Sequence, residues 1–298
     1  MTTTKPHSNS VLTKPRSNSV LLPFPVDVPP DALILVTNGT RPIPLQITKQ
    51  LLAHNLRVRV TTPAGEQAGW LHKLFAPHSQ SGAFEHVVLP AGIPPGDKEL
   101  YREAVRGAYG VVHSPTLPAA AAEEDPDVDA VHAMWDDVSA SVRSLLDAAQ
   151  GEESVLGVVF TSCMRASTSV RDPEQWRVDE DSWNKRDVIR AVVGGYDEEV
   201  VRNACLVTAE QTFWEWAMQR RGQFKFRVNV VCPSNLIGQN LGAQWTEEWK
   251  NWMWELYIKE EAKHVVPGGD KTQAREFCLV FCFVSFPSSP LSSPSLPT

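Results

Sequence analysis

Val36-Thr37-Asn38-Gly39-Thr40-Arg41-Pro42-Ile43-Pro44, read as VTNGTRPIP, stands between an apolar run that starts at Ala32 (ALILVT) and a helical pattern from Pro44 to Asn55 (PLQITKQLLAHN). An apolar strand, a tight turn and an amphipathic helix in that order open a parallel α/β unit, because the helix must fold back over the strand it leaves. The turn carries a single glycine, where phosphate-cradling turns of this kind commonly use three for backbone freedom and close approach.

The alternation continues outward from this stretch. LRVRVTT (Leu56 to Thr62) reads as a strand, and after a polar stretch FEHVVLP (Phe84 to Pro90) reads as another. A helix over ELYREAVRGA, a strand YGVVHS, a long helix from Val128 to Gln150 and a strand SVLGVVFTS follow. A helix from Glu198 to Arg221 and a strand within FRVNVVCPSNLIG complete the series. Strands separated by helices pair in parallel through right-handed crossovers, so the expected fold is an α/β, Rossmann-type doubly wound parallel sheet of six or seven strands with helices on both faces.

Composition agrees with a globular chain and removes whole classes of function. The chain has 298 residues, 42% of them hydrophobic, enough for a sizeable core. A formal net charge of -7 without a basic cluster excludes a nucleic-acid partner. The longest apolar run, FCLVFCFVSF from Phe277 to Phe286, is about half of the roughly 20 residues a membrane-spanning helix needs, so no membrane segment is expected. Five cysteines, Cys163, Cys205, Cys232, Cys278 and Cys282, lack the CxxC spacing of a metal site and read as reduced thiols of a cytoplasmic protein.

Four regions are expected. Residues 1–30 hold the tandem repeat TKPHSNSVL and TKPRSNSVL, a solvated tail or, alternatively, an organelle-targeting peptide. Residues 31–243 form the sheet domain. Residues 244–276 carry Trp245, Trp249, Trp252 and Tyr257 at helical spacing, a packing face or a surface for a protein partner near Trp249. Residues 277–298 are apolar and then rich in Ser and Pro.

Six landmarks in order resemble the extended short-chain dehydrogenases/reductases, in particular the cinnamoyl-CoA reductase and dihydroflavonol reductase group: the turn VTNGTRPIP, GVVHSP from Gly110, VVFTSC from Val158, VDEDSW from Val178, Ala209-Glu210, and CPSNLIGQ from Cys232. The resemblance spans about Ala32 to Leu241. It implies NADP-dependent reduction of a small-molecule carbonyl or acyl-thioester by hydride transfer. By position it assigns cofactor contacts to Thr37, Asn38, Gly39, Thr40, Arg41, Pro42, Ile43, His113, Thr161 and Pro233. It also implies a substrate region after residue 238 that this chain largely lacks, as if an alternative exon boundary had replaced it.

The chemical residues depart from that pattern. The three turn glycines fall on Asn38, Arg41 and Pro44, and the end of the second strand reads Thr62-Pro63-Ala64, with neither an Arg for a 2′-phosphate nor an acid for a 2′-hydroxyl. The resemblance places a catalytic Ser, Tyr and Lys on Cys163, Arg202 and Leu206. An Arg holds its proton at neutral pH and a Leu has no hydrogen-bonding group, so the expectation is a catalytically impaired homologue with weakened cofactor binding. Sliding the register to Tyr196 provides no Lys four residues on. An active reductase with an atypical site and a non-enzymatic interaction protein are the alternatives. A Cys163–His113 nucleophile pair is a further candidate. Asp125, Asp127, Asp129, Asp136 and Asp137 read as acids at a helix start, not as a metal site.

Overall fold

The computed structural model describes residues 28–117, 128–169, 178–179, 181–193, 197–233 and 241–242. Six parallel strands form one sheet in the order β3-β2-β1-β4-β5-β6. These are β1 (Leu33–Val36), β2 (Arg57–Thr62), β3 (Phe84–Val88), β4 (Gly110–His113), β5 (Gly157–Thr161) and β6 (Arg227–Val231). The helices are α1 (Pro42–Ala53), α2 (Trp70–Leu74), α3 (Ala76–Gln80), α4 (Glu99–Val105), α5 (Val128–Gly151), α6 (Lys185–Val193) and α7 (Glu198–Gln219). The strand order reverses between β1 and β4, and it is outside the carboxyl ends of the strands at such a switch point that open α/β sheets take their ligands.

Strand residues alternate between two cores because successive side chains point to opposite faces. Ile34 and Val36 of β1 with Val58 and Val60 of β2 pack against Leu45, Ile47 and Leu52 of α1 and Leu71 of α2. Leu35, Val111, Val158 and Phe160 face the other way, onto α4, α5 and α7. Leu35, Leu45, Leu145 and Leu146 are each completely or almost completely buried. Each such side chain contributes about 1.5–3 kcal/mol relative to leaving it in water, so the sheet is held from both sides.

The polar stretch between β2 and β3 is folded into two short helices, α2 and α3, that lay Leu71 and Phe75 on the first core. Helix α6 was not apparent from the sequence. Its apolar residues are mostly left in solvent, with Ala191 buried, and a buried carboxylate, Asp187, holds it in place. The aromatic segment 244–276, the tails 1–27 and 277–298, and Asp125 and Asp127 lie outside the described residues. Asp129 stands in the first turn of α5, at the positive end of the helix dipole.

Candidate functional site

The turn after β1 closes by three local devices. Asn38 adopts φ +54, a left-handed conformation that Asn tolerates better than most residues. Its side-chain amide donates to the Ser114 carbonyl at 2.5 Å, and its carbonyl oxygen accepts from Thr116 Oγ1 at 3.1 Å. Gly39 presses against β2: its N–H donates to the Thr61 carbonyl at 2.9 Å, and a Cβ there would lie 1.7 Å from Val60 Cγ1. Here a glycine is required by close approach rather than by φ. Thr40, 1% exposed, donates through Oγ1 to Glu66 Oε1 at 2.6 Å, which ties the turn to the loop after β2.

Helix α1 starts at Pro42, two residues earlier than its apolar period suggested, with Arg41 as the extended N-cap residue. Proline fits the first helical position because its N–H would be unused within the helix. The cost falls on anion binding. A helix N-terminus normally offers several N–H groups to a phosphate. Pro42 and Pro44 have none, and Leu45 donates to the Arg41 carbonyl at 3.0 Å. The Arg41 N–H itself goes to the Asn38 carbonyl at 3.0 Å. Of residues 41–45, only Ile43 retains an N–H outside these bonds, beside the exposed Arg41 side chain.

Across the switch point, hydroxyls lace the ends of β1, β4 and β5 together. Thr37 Oγ1 accepts from the Ser114 N–H at 3.0 Å and lies 2.9 Å from His113 Nδ1. Thr161 Oγ1 donates to the His113 carbonyl at 3.0 Å and lies 2.5 Å from Ser114 Oγ. His113 faces the second core, between Tyr101 and Phe160. Burial lowers its pKa to about 3, so the ring is neutral at physiological pH. Its Nε2 is buried without a hydrogen-bond partner among the described residues. No hydrogen bond joins it to Cys163, so the structure does not assemble the Cys163–His113 pair that the sequence offered as a nucleophile.

Helix α7 carries the remaining positions. It is capped by Asp197, whose Oδ1 accepts from the N–H groups of Glu199 and Val200 at 3.1 and 3.3 Å. Arg202 is exposed and pairs with Glu198 one turn back at 3.5 Å. Leu206 is 6% exposed and belongs to the second core. Cys163 lies just past β5, partly buried against the same core, and Tyr196 lies outside the described residues. Pro233, just past β6, accepts through its carbonyl from the Met164 N–H at 2.9 Å.

Two buried carboxylates brace these elements, and sequence patterns did not signal either role. Glu210, 1% exposed, accepts from Ser162 Oγ at 2.6 Å and from Cys232 Sγ at 3.6 Å, which locks α7 to the ends of β5 and β6. Asp187, 2% exposed, accepts from Ser169 Oγ, Asn184 Nδ2 and Asn203 Nδ2, each at 2.8 Å. That cluster joins the segment after β5 to α6 and α7. Cys205, also on α7, has its thiol pKa pushed up to about 12, chiefly by burial. Among the described residues no cluster of His, Cys, Asp or Glu has the composition to hold a metal ion. No described helix is long and apolar enough to cross a membrane.

No family model matches the chain. It is 28% identical over 237 residues to an NAD-dependent epimerase/dehydratase of Aspergillus terreus, covering 77% of this chain and 65% of that protein. The chain is similar to extended short-chain dehydrogenases/reductases. It is also 24% identical over 214 residues to aldehyde reductase 2 of Sporidiobolus salmonicolor, covering 71% of this chain and 59% of that one. In fold it is similar to the yeast methylglyoxal/isovaleraldehyde reductase complexed with NADPH (TM-score 0.56, 19% identity, 70% of this chain and 59% of that one). Vestitone reductase from alfalfa matches at TM-score 0.55 and 17% identity, over 74% of this chain and 62% of that one. The chain thus spans about three fifths of the length of these relatives.

Proposed function

We propose that this chain is a dinucleotide-binding relative of the carbonyl reductases whose hydride-transfer site is impaired. Of the named relatives, one is NAD-dependent by name, another is a reductase complexed with NADPH, and two are aldehyde reductases by name. The donor set at the switch point fits a dinucleotide, with fewer amides than usual. The Ile43 N–H and the Arg41 guanidinium stand where a pyrophosphate would be held, on a turn that Gly39 and Asn38 keep tight. A bound reduced nicotinamide supplies a hydride for a carbonyl carbon.

The observation that carries the impairment is the state of α7. Reduction of a carbonyl needs a proton for the developing alkoxide, which in the resembled family comes from a Tyr activated by a Lys. A guanidinium is too weak an acid to serve as that donor, and Arg202 at the Tyr position is engaged with Glu198 at the surface. Leu206 at the Lys position is buried in the core and has no group to hold a ribose or lower a pKa. Cys163, at the Ser position, offers only the weak hydrogen bond of a thiol to orient a carbonyl oxygen.

Purified chain titrated with NADH and NADPH, and then supplied with a panel of aldehydes and ketones, separates the readings. The proposal expects saturable dinucleotide binding with turnover no faster than the protein-free control. Turnover of roughly 10 per second on any aldehyde, a common enzymatic rate, overturns the impairment. Binding of neither dinucleotide overturns the whole proposal.

A further inference from the structure

We propose that His72 and His86 form a proton-sensitive latch that holds α2 and α3 against the β3 edge of the sheet and releases that corner on acidification. The two short helices have few other anchors. Leu71 is the buried residue of α2, α3 has none, and Phe75 between them packs on Phe84 at a centroid distance of 5.0 Å. Elements held by so few apolar side chains open locally well below the free energy of global unfolding. A change of charge at their contact with the sheet therefore shifts that opening.

The latch spans four elements. His86 stands on β3, its Nε2 2.9 Å from Oγ1 of Thr62, which is fully buried at the end of β2. His72 belongs to the last turn of α2, and its ring lies edge-on to two others, 5.8 Å from His86 and 5.6 Å from Phe84 between centroids. Its Nδ1 lies 3.3 Å from Ser79 Oγ of α3. Neutral rings in this arrangement pack as an aromatic pair. A proton on each turns the pair into neighbouring cations in a partly buried site, where repulsion is screened less than in water.

Burial lowers the His86 pKa from its ordinary 6.5, and the neighbouring His72 lowers it further, against the opposing pull of Glu66. A depressed folded pKa fixes the sign. The latch contributes fully above pH 6.5 and weakens as the pH falls, because the released ring binds a proton that the packed ring excludes. The remaining charges on the elements packed against β3 keep that sign. Arg57 and Arg59 of β2 point to the opposite face, where both pair with Glu85. Lys73 of α2 and His78 of α3 can add only positive charge.

The test is hydrogen exchange of the full chain, read by mass spectrometry at pH 7.5 and 5.5 with labelling times scaled to the intrinsic rate at each pH. The reporter peptides cover α2 and α3, where the N–H groups of Phe75, Ser79, Ser81 and Ala83 donate to the carbonyls of Leu71, Phe75, Pro77 and His78. Protection in the parent should fall by about three- to tenfold at pH 5.5; the upper bound is the excess of protonated over neutral ring for a free imidazole of pKa 6.5. The fall should shrink below about twofold in His86→Gln, whose amide can still bond Thr62, and in His72→Gln, at an exposed position. His113, between Tyr101 and Phe160 in the other core, is unchanged in both variants, so its own titration cannot account for the difference. Unchanged protection in the parent overturns the latch, and so does a fall kept in full by either variant.

Discussion

Replacing Gly39 by Ala tests whether the turn after β1 is held by close approach to β2. A Cβ at Gly39 would lie 1.7 Å from Val60 Cγ1, 3.0 Å from Val60 Cβ and 3.2 Å from Val60 Cγ2. Favourable carbon contacts lie at about 3.5–4.0 Å, so the clash with Cγ1 is about 2 Å deep. Rotating Val60 cannot relieve it, because its Cβ is itself too close and the side chain is β-branched and fully buried. The turn must therefore move and stretch the Gly39 N–H bond to Thr61, 2.9 Å long in the parent. Overpacking of this kind costs about 1–3 kcal/mol, and the depth of the clash points to the upper end. For a domain of this size about 3 kcal/mol lowers Tm by roughly 6–12 °C.

The assay is thermal and urea denaturation of Gly39→Ala, Val60→Ala and the double variant. Val60→Ala alone should cost about 2 kcal/mol for the lost methyl burial. In the double variant the new methyl occupies part of the space Val60 vacated, so the combined loss should fall short of the sum by about 2 kcal/mol. A Gly39→Ala protein that melts within about 1 °C of the parent, or strict additivity in the cycle, would refute the close-approach argument.

Other expectations follow from the buried groups. Asp187→Ala leaves Ser169, Asn184 and Asn203 without their shared acceptor; it should destabilise the fold by about 3 kcal/mol in urea titrations. His113 has a folded pKa of about 3 against an ordinary 6.5, so between those values the unfolded chain binds a proton that the folded one excludes. Its contribution is complete above pH 6.5 and falls toward pH 3 by about 1.4 kcal/mol per unit. His113→Gln should remove about one proton from the acid-side slope, and an unchanged slope would show that the ring titrates normally. Cys205, with its thiol pushed up to about 12, should resist iodoacetamide until unfolding, while the partly buried Cys163 and Cys232 label ahead of it in peptide mass mapping.

The sheet was legible because parallel strands buried on both faces read as short apolar runs such as ALILVT and GVVFT, and helical periods separate them. The start of α1 was displaced because Pro42 and Ile43 precede the regular apolar period yet fit the first helical turn. Helix α6 was invisible because its anchor is Asp187, a polar residue that satisfies neighbours distant in sequence, and no local pattern marks such a residue. Glu66 escaped for a related reason. Its meaning depends on a loop returning to Thr40, 26 positions earlier, and spacing along the chain does not reveal that contact. Arg202 and Leu206 could be picked out from the sequence as positions of interest; their opposite fates, one at the surface and one in the core, required the fold.

The two prolines that open α1 change the kind of force available to a bound anion. Amide donors are fixed in direction and short in range, so they recognise a phosphate by shape and lose little to dissolved salt. With Pro42 and Pro44 silent and the Leu45 N–H used within the helix, much of the attraction passes to the solvent-facing Arg41 guanidinium. Such an attraction reaches farther but is screened within about 10 Å at 0.1 M salt. A phosphate at this turn would be gripped in dilute buffer and loosened as ionic strength rises, which makes the surrounding electrolyte a regulator of occupancy that a turn with three glycines would largely ignore.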